Sequence, residues 1–264
     1  MNAHLVLTKH GSLSENSELL SAIKEKGDSK KKFYSKLLQD YKHEWKQVPS
    51  WYKAKFKQHY EQLSEPNFRI FKISNLQSGS GLLIGNGETS VLETHLTLHR
   101  TYGVPYIPGT ALKGIAAHYC DRYLGPEHPE LRAGNEFYTI LFGSQEQAGF
   151  IHFQDAFPTP ETVGTSLVLD VLTPHHQEYN QIKLSSKSMQ ETYPAPRDDD
   201  SPSPVHFLTV RADFKVLLTC ENKSQEGNDW LTIAEAILVQ AIEQEGVGGK
   251  TNAGYGLFQI QDVN

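Results

Sequence analysis

Residues 98–114 read LHRTYGVPYIPGTALKG. The string runs from a basic, aromatic turn into an apolar helix. The break between them is forced, because Pro108 and Gly109 both cost free energy inside a regular helix. Thr110 stands where it can cap the helix that follows. A fresh helix N-terminus presents unpaired N–H groups and the positive end of a dipole, which favours an anion. Lys113 adds a full positive charge one turn further on. With Arg100, Tyr102 and Tyr106 nearby in sequence, the anion expected is a nucleic-acid phosphate.

On either side of this string the pattern alternates between strands and helices. Residues 1 to about 14 read as a loose tail. Residues 15–63 read as helical, with Phe33, Leu37, Leu38 and Tyr41 on one apolar face and Pro49 breaking the run. FRIFKISNL (68–76) alternates as a half-buried strand does. Helix is expected over 108–124 and 137–142. Strand is expected over 149–157 and 167–172, and over 205–220 as one bent strand or two short ones. A strongly amphipathic helix covers 229–245, and a last strand covers 255–263. A polar, proline-rich insertion occupies about 173–204. Without its insertions the order is strand, helix, strand, strand, helix, strand, the order of a ferredoxin-like α+β fold, which RNA-recognition modules share. The expected division is a helical region over 1–66 and a ferredoxin-like domain over 67–264.

Charge is unevenly spread. The 264-residue chain carries a net charge of -6, yet nine lysines against three acidic residues make the stretch 29–61 locally +6. An acidic total does not exclude nucleic acid, because a local stripe matters more than the sum. Lys53, Lys55 and Lys57 are the part of that stripe expected to meet RNA. Two cysteines, Cys120 and Cys220, point away from a disulfide framework and toward a reducing compartment. No signal sequence or membrane span is expected, and the protein reads as cytoplasmic.

GVGGKTNAGYG (246–256) is the second informative string. It is not a Walker loop, because the required earlier glycine is replaced by Gln244 and the loop runs from helix to strand. A plain helix-to-strand connection would need fewer residues, so binding is expected. Gly248 and Gly249 would let backbone N–H groups approach a ligand, with Lys250 and Asn252 reaching phosphate or a base edge. No metal site is expected. Asp155, Asp170 and Asp213 stand near strand ends with no spacing that brings them together, and His118 and Cys120 point apart on a helix. His99 is conceivable as a general base for metal-independent RNA cleavage, without a visible partner.

These strings, together with DVLTPHH (170–176) and PVHFLTV (204–210), resemble the RAMP proteins of CRISPR systems, and among them the sixth-subunit family of type III-B Cmr complexes. The resemblance covers most of residues 68–262. It implies a ferredoxin-like RAMP fold with an N-terminal helical extension. It also implies a non-catalytic subunit that binds guide RNA near its 3′ end, without a cofactor, in a complex that recognises and cleaves target RNA. The implied neighbours are the backbone RAMP subunit, the small helical subunit and a second capping RAMP subunit. Cleavage in the family is attributed to an aspartate of the backbone subunit, so no catalytic residue is expected here. The alternative is a guide-processing endoribonuclease with a histidine base.

Overall fold

The computed structural model describes residues 2–8, 22, 28–61, 63, 67–76, 79–87, 92, 95–173 and 204–261. Among the described residues the helices α1 (Ala3–Thr8), α2 (Asp28–Glu44) and α3 (Ser50–Glu61) come first. They are followed by β1 (Asn67–Asn75), α4 (Gly109–Tyr119), α5 (Glu136–Phe142), β2 (Ile151–Phe153) and β3 (Phe157–Pro158). The chain closes with β4 (Leu167–Leu172), β5 (Val205–Val210), β6 (Asp213–Cys220), α6 (Gln225–Glu245) and β7 (Phe258–Gln261). A mixed helix and antiparallel-sheet architecture, α+β, is what the sequence pattern implies.

The main sheet runs β2–β6–β1–β7, with β3 also paired to β6, and every pairing is antiparallel. β6 and β1 lie at its centre, with Ile70 opposite Leu217 and Lys72 opposite Lys215. Side chains alternate across a strand. Phe71 and Ile73 are therefore buried on the face that α6 covers, where Arg69 also pairs with Glu235 of α6 at 3.3 Å. Phe68, Ile70, Lys72 and Lys215 share the opposite face.

α6 follows from its sequence. Leu231, Ala234, Ile237, Leu238, Ala241 and Ile242 fall at helical spacing and are all buried. Burial of each large aliphatic side chain stabilises by about 1.5–3 kcal/mol. Ser224 caps it by accepting from Gly227 N–H at 3.4 Å, so the helix begins at Gln225, four residues before the expected start at 229. Ile233, expected to face inward, is 41% exposed.

Three sequence expectations are corrected and one alternative is resolved. The first residues are not a loose tail: Asn2 donates to Arg100 O and Thr101 O, and α1 folds onto the 99–103 turn with Ala3 fully buried. The strand over 149–157 is split, because Ala156 leaves β6 and exchanges both backbone hydrogen bonds with Ile107. The run 205–220 takes the second of its two expected forms, two short strands, since β5 pairs with β4 while β6 joins the main sheet. The helix over 108–124 is α-helical to Tyr119 and finishes as a π turn over Cys120–Leu124. The expected insertion over 173–204 lies almost wholly outside the described residues. Those flanking it form the β4–β5 ribbon.

The core is continuous from the N-terminal helices to the sheet. Buried tyrosines fasten the two together. Tyr41 donates to Val163 O at 2.9 Å and Tyr52 to Pro158 O at 2.7 Å. Tyr60 donates to Lys215 O at 2.7 Å and accepts from Phe157 N–H at 2.9 Å. Each hydroxyl satisfies its hydrogen bond while its ring fills the core. Burial pushes all three phenols well above their ordinary titration range.

Candidate nucleic-acid interface

The start of α4 is not built as expected. Pro108 occupies the cap position, and Thr110 is exposed with no capping hydrogen bond. The cap comes from 46 residues downstream: Asp155 Oδ1 accepts from Gly109 N–H at 2.8 Å. The positive end of the dipole is already matched by a carboxylate of the same chain. A Cβ on Gly109 would lie within 2.0 Å of Phe153 O, so glycine is required for the 153–155 turn to close over the helix end. Of the residues expected there, Lys113 is partly exposed on α4 and Arg100 is exposed on the 99–103 turn.

The glycine-rich loop spends much of its backbone on its own chain. Gly249 N–H donates to Leu83 O at 2.7 Å, Gly256 N–H to Gly81 O at 3.1 Å, and Val247 N–H to Gly256 O at 2.8 Å. Close approach to residues 79–84 is what the glycines permit: a Cβ on Gly248 would sit 2.4 Å from Leu83 O. What remains outward is the arc Gly248, Lys250 and Asn252, all exposed. Gly248 and Asn252 line a cleft of about 420 Å³ with His118 and Glu245. Lys250 holds φ 58 and ψ 36, the left-handed region. Such conformations cost a non-glycine residue about 1–3 kcal/mol and gather at functional sites.

A second surface was not visible in the sequence. α3 runs beside the face of the sheet opposite α6 and leaves a groove of about 920 Å³. Lys53 and Lys57 of α3 line it together with Lys72 of β1 and Lys215 of β6. Phe56 and Phe68 line it as well, and Phe68 is 42% exposed. The Lys215 ammonium stands 5.9 Å from the Phe56 ring centre and 5.6 Å from that of Tyr60. Lys57 meets Glu61 at 4.0 Å and Lys72 meets Asp213 at 3.9 Å. Lys53 and Lys215 have no carboxylate partner among the described residues. Lys55 does not line the groove; its ammonium donates to Gln58 at 3.0 Å. Positions 53 and 57 share a helix face and 55 does not. The alternation of FRIFKISN held the missing signal, since it puts Phe68 and Lys72 on one face together.

His99 lies in an aromatic cluster. Its ring stacks on Tyr102 at 4.1 Å, and its Nδ1 accepts from Tyr102 N–H at 3.2 Å. His59 sits edge-on to Tyr60 at 4.5 Å, and its Nε2 is 3.3 Å from Asp155 O. Burial holds both imidazoles below the ordinary 6.5, against a smaller opposing pull from Asp155. Both are therefore neutral in the fold at a pH where the unfolded chain takes up protons. Stability should fall as the pH drops below about 6.5 and go on falling through the depressed native values. Denaturation midpoints measured from about pH 7.5 to about 5 should show this, and His59→Gln should flatten the slope. A wild-type slope retained in full by that variant would assign the effect elsewhere.

The aspartates do not converge. Asp155 caps α4, Asp170 accepts from Tyr255 OH at 3.1 Å, and Asp213 meets Lys72. Among the described residues no three His, Cys, Asp or Glu side chains gather to hold a metal. Cys120 and Cys220 are buried and free, and burial pushes the Cys120 thiol up to about 11. No described helix is long and apolar enough to cross a membrane.

The RAMP superfamily model matches residues 75–259, well over half of the chain. The chain belongs to the RAMP superfamily. It is 29% identical to the CRISPR system Cmr subunit Cmr6 of Pyrococcus furiosus over 76% of this chain and 72% of that protein. It is 25% identical to the Cmr6 of Saccharolobus solfataricus over 66% of this chain and 51% of that one. A chain in a cryo-EM structure of the type III-B Cmr-beta bound to cognate target RNA shares its fold, at a TM-score of 0.56 and 21% identity. That likeness covers 100% of this chain and 87% of the other. In this RAMP protein the match takes in α4, the glycine-rich loop and Lys215, whereas Lys53, Lys57, Phe68 and Lys72 lie outside it.

Proposed function

We propose that this RAMP protein is the sixth subunit of a type III-B Cmr effector complex, a non-catalytic subunit that binds guide RNA near its 3′ end and helps assemble the complex. The observation that carries the reading is the RAMP match over 75–259 joined to Cmr6 relatives across three quarters of the chain. The strand order β7–β1–β6–β2, with α4 and α6 as the two crossovers, supports a ferredoxin-like fold. The RNA-binding surface comprises Arg100, Thr110 and Lys113, the outward loop residues Gly248, Lys250 and Asn252, and the α3 lysines Lys53 and Lys57, while Lys55 and Gly249, expected there from sequence, are turned to Gln58 and Leu83. Lysine charges and outward backbone groups grip phosphate and read little sequence. A guide complex asks for no more, because base pairing supplies the specificity. The partners are the guide and target RNA, the backbone RAMP subunit, the small helical subunit and a second capping RAMP subunit, in the cytoplasm.

Tagged protein purified from its native host, with sequencing of bound RNA, tests this directly. CRISPR guide RNA recovered with other RAMP subunits is expected. The chain recovered alone and free of RNA would overturn the reading. Lys250→Gly separates fold from function at the loop. It removes the left-handed strain and the charge together, so Tm should be no lower than wild type. RNA affinity should fall, with a log–log salt slope shallower by about 0.7 for one lost phosphate contact. Lys113→Ala should shallow the slope in the same way. Unchanged affinity and slope in both variants would remove them from the interface.

A further inference from the structure

We infer that the groove between α3 and the face of the sheet opposite α6 is a stacking cleft for an unpaired, single-stranded stretch of RNA. The inference rests on the RNA-binding reading above and assigns it a second surface with its own mode of contact. Three observations carry it. The groove is open, about 920 Å³, near the upper end of the ~300–1,000 Å³ of ligand-sized pockets. Its cations are unevenly satisfied: two of its four lysines face carboxylates, while Lys53 and Lys215 have none among the described residues. Its wall presents the rings of Phe56 and Phe68 side by side with these lysines, and Phe68 is 42% exposed on a central strand.

Charge alone would suit an acidic peptide equally well. The rings decide between the two. A nucleotide offers a flat base and an anionic phosphate a few ångströms apart, and the groove offers aromatic rings with an ammonium 5.9 Å from the centre of one of them. Lys215 is already held over the Phe56 and Tyr60 rings, so its charge is in place before the ligand arrives. Stacking tolerates any base, and the lysines read only the backbone. Duplex RNA hides its base faces and would gain nothing from Phe68. The occupant is therefore an unpaired segment, bound without sequence preference.

The test uses the full chain, a labelled oligouridylate and fluorescence anisotropy over a series of salt concentrations. Phe68→Ala should weaken binding about tenfold, the size of one lost base stack, and leave the salt slope unchanged because no phosphate contact is lost. Phe68→Tyr should restore it. Lys53→Gln with Lys57→Gln should instead shallow the slope. Ultraviolet cross-linking should place uridine on the peptide containing Phe68. Three results would overturn the inference. If RNA binds and Lys250→Gly weakens it while Phe68→Ala does not, the groove is not an RNA site and the subunit reading stands. If polyglutamate displaces the RNA as the chain's preferred ligand and Phe68→Ala is neutral, the groove takes an acidic protein segment. If the wild-type chain binds no single-stranded RNA, this inference fails together with the reading beneath it.

Discussion

Gly256→Ala is expected to destabilise the protein by about 2–5 kcal/mol, the sum of a left-handed backbone cost and an overpacked contact. Gly256 has φ +64, and an added Cβ would fall 1.8 Å from Val247 O. Neither side can give way cheaply. Gly256 O already accepts from Val247 N–H at 2.8 Å, and Gly256 N–H holds Gly81 O at 3.1 Å. Gly254→Ala is the control, because Gly254 has φ +86 with nothing near the added methyl. It should cost only the left-handed term, about 1–2 kcal/mol. Urea midpoints of the two variants give the comparison. Equal losses would mean that the Val247 contact relaxes freely and that the loop is looser than its hydrogen bonds imply.

Reversing Lys53 and Lys57 to glutamate is expected to lower RNA affinity about tenfold or more at physiological salt, with a slope shallower by roughly 1.4 for two single-strand phosphate contacts. Lys55→Glu should do far less, because Lys55 lies off the groove. The pair shifts the surface charge twice as far as the single variant, so general repulsion would affect the two in that same proportion. A specific groove would affect the pair alone. Gel filtration of the assembled complex adds the second readout, and RNA retention unchanged in the pair would reduce the stripe to solvated surface.

How much of this was legible in the sequence follows from how local each feature is. α6 was legible because its stabilising contacts repeat every three or four residues along one segment. The buried faces of α4 and α2 were legible for the same reason, although Tyr123, within the terminal π turn, is 47% exposed. The helix-to-strand setting of residues 246–256 was legible as well. The cap of α4 was not: Asp155 reaches it from another strand, and the nearer Thr110 looked sufficient. Six-residue α1 has no periodicity to detect, and the hydrogen bonds from Asn2 that anchor it bridge about a hundred positions. The groove has the same difficulty in stronger form. Its lysines come from α3, β1 and β6, and only the antiparallel register that sets Lys72 beside Lys215 makes them neighbours.

The small cluster of Leu83, Phe207 and Tyr255, with Leu172 against it, ties three segments that are far apart in the chain. The β4–β5 ribbon is stapled at its base by the paired hydrogen bonds of Leu82 and Val210, and along its length by Tyr255 OH on Asp170. Gly249 is fastened to Leu83 at the other end of the same cluster. Ribbon and loop are in effect one lever with two anchor points. The turn that carries Lys250 is tied through Leu83 and Tyr255 to the strands that lead to residues 173 and 204, so the ribbon cannot shift without either carrying that turn with it or breaking one of these contacts.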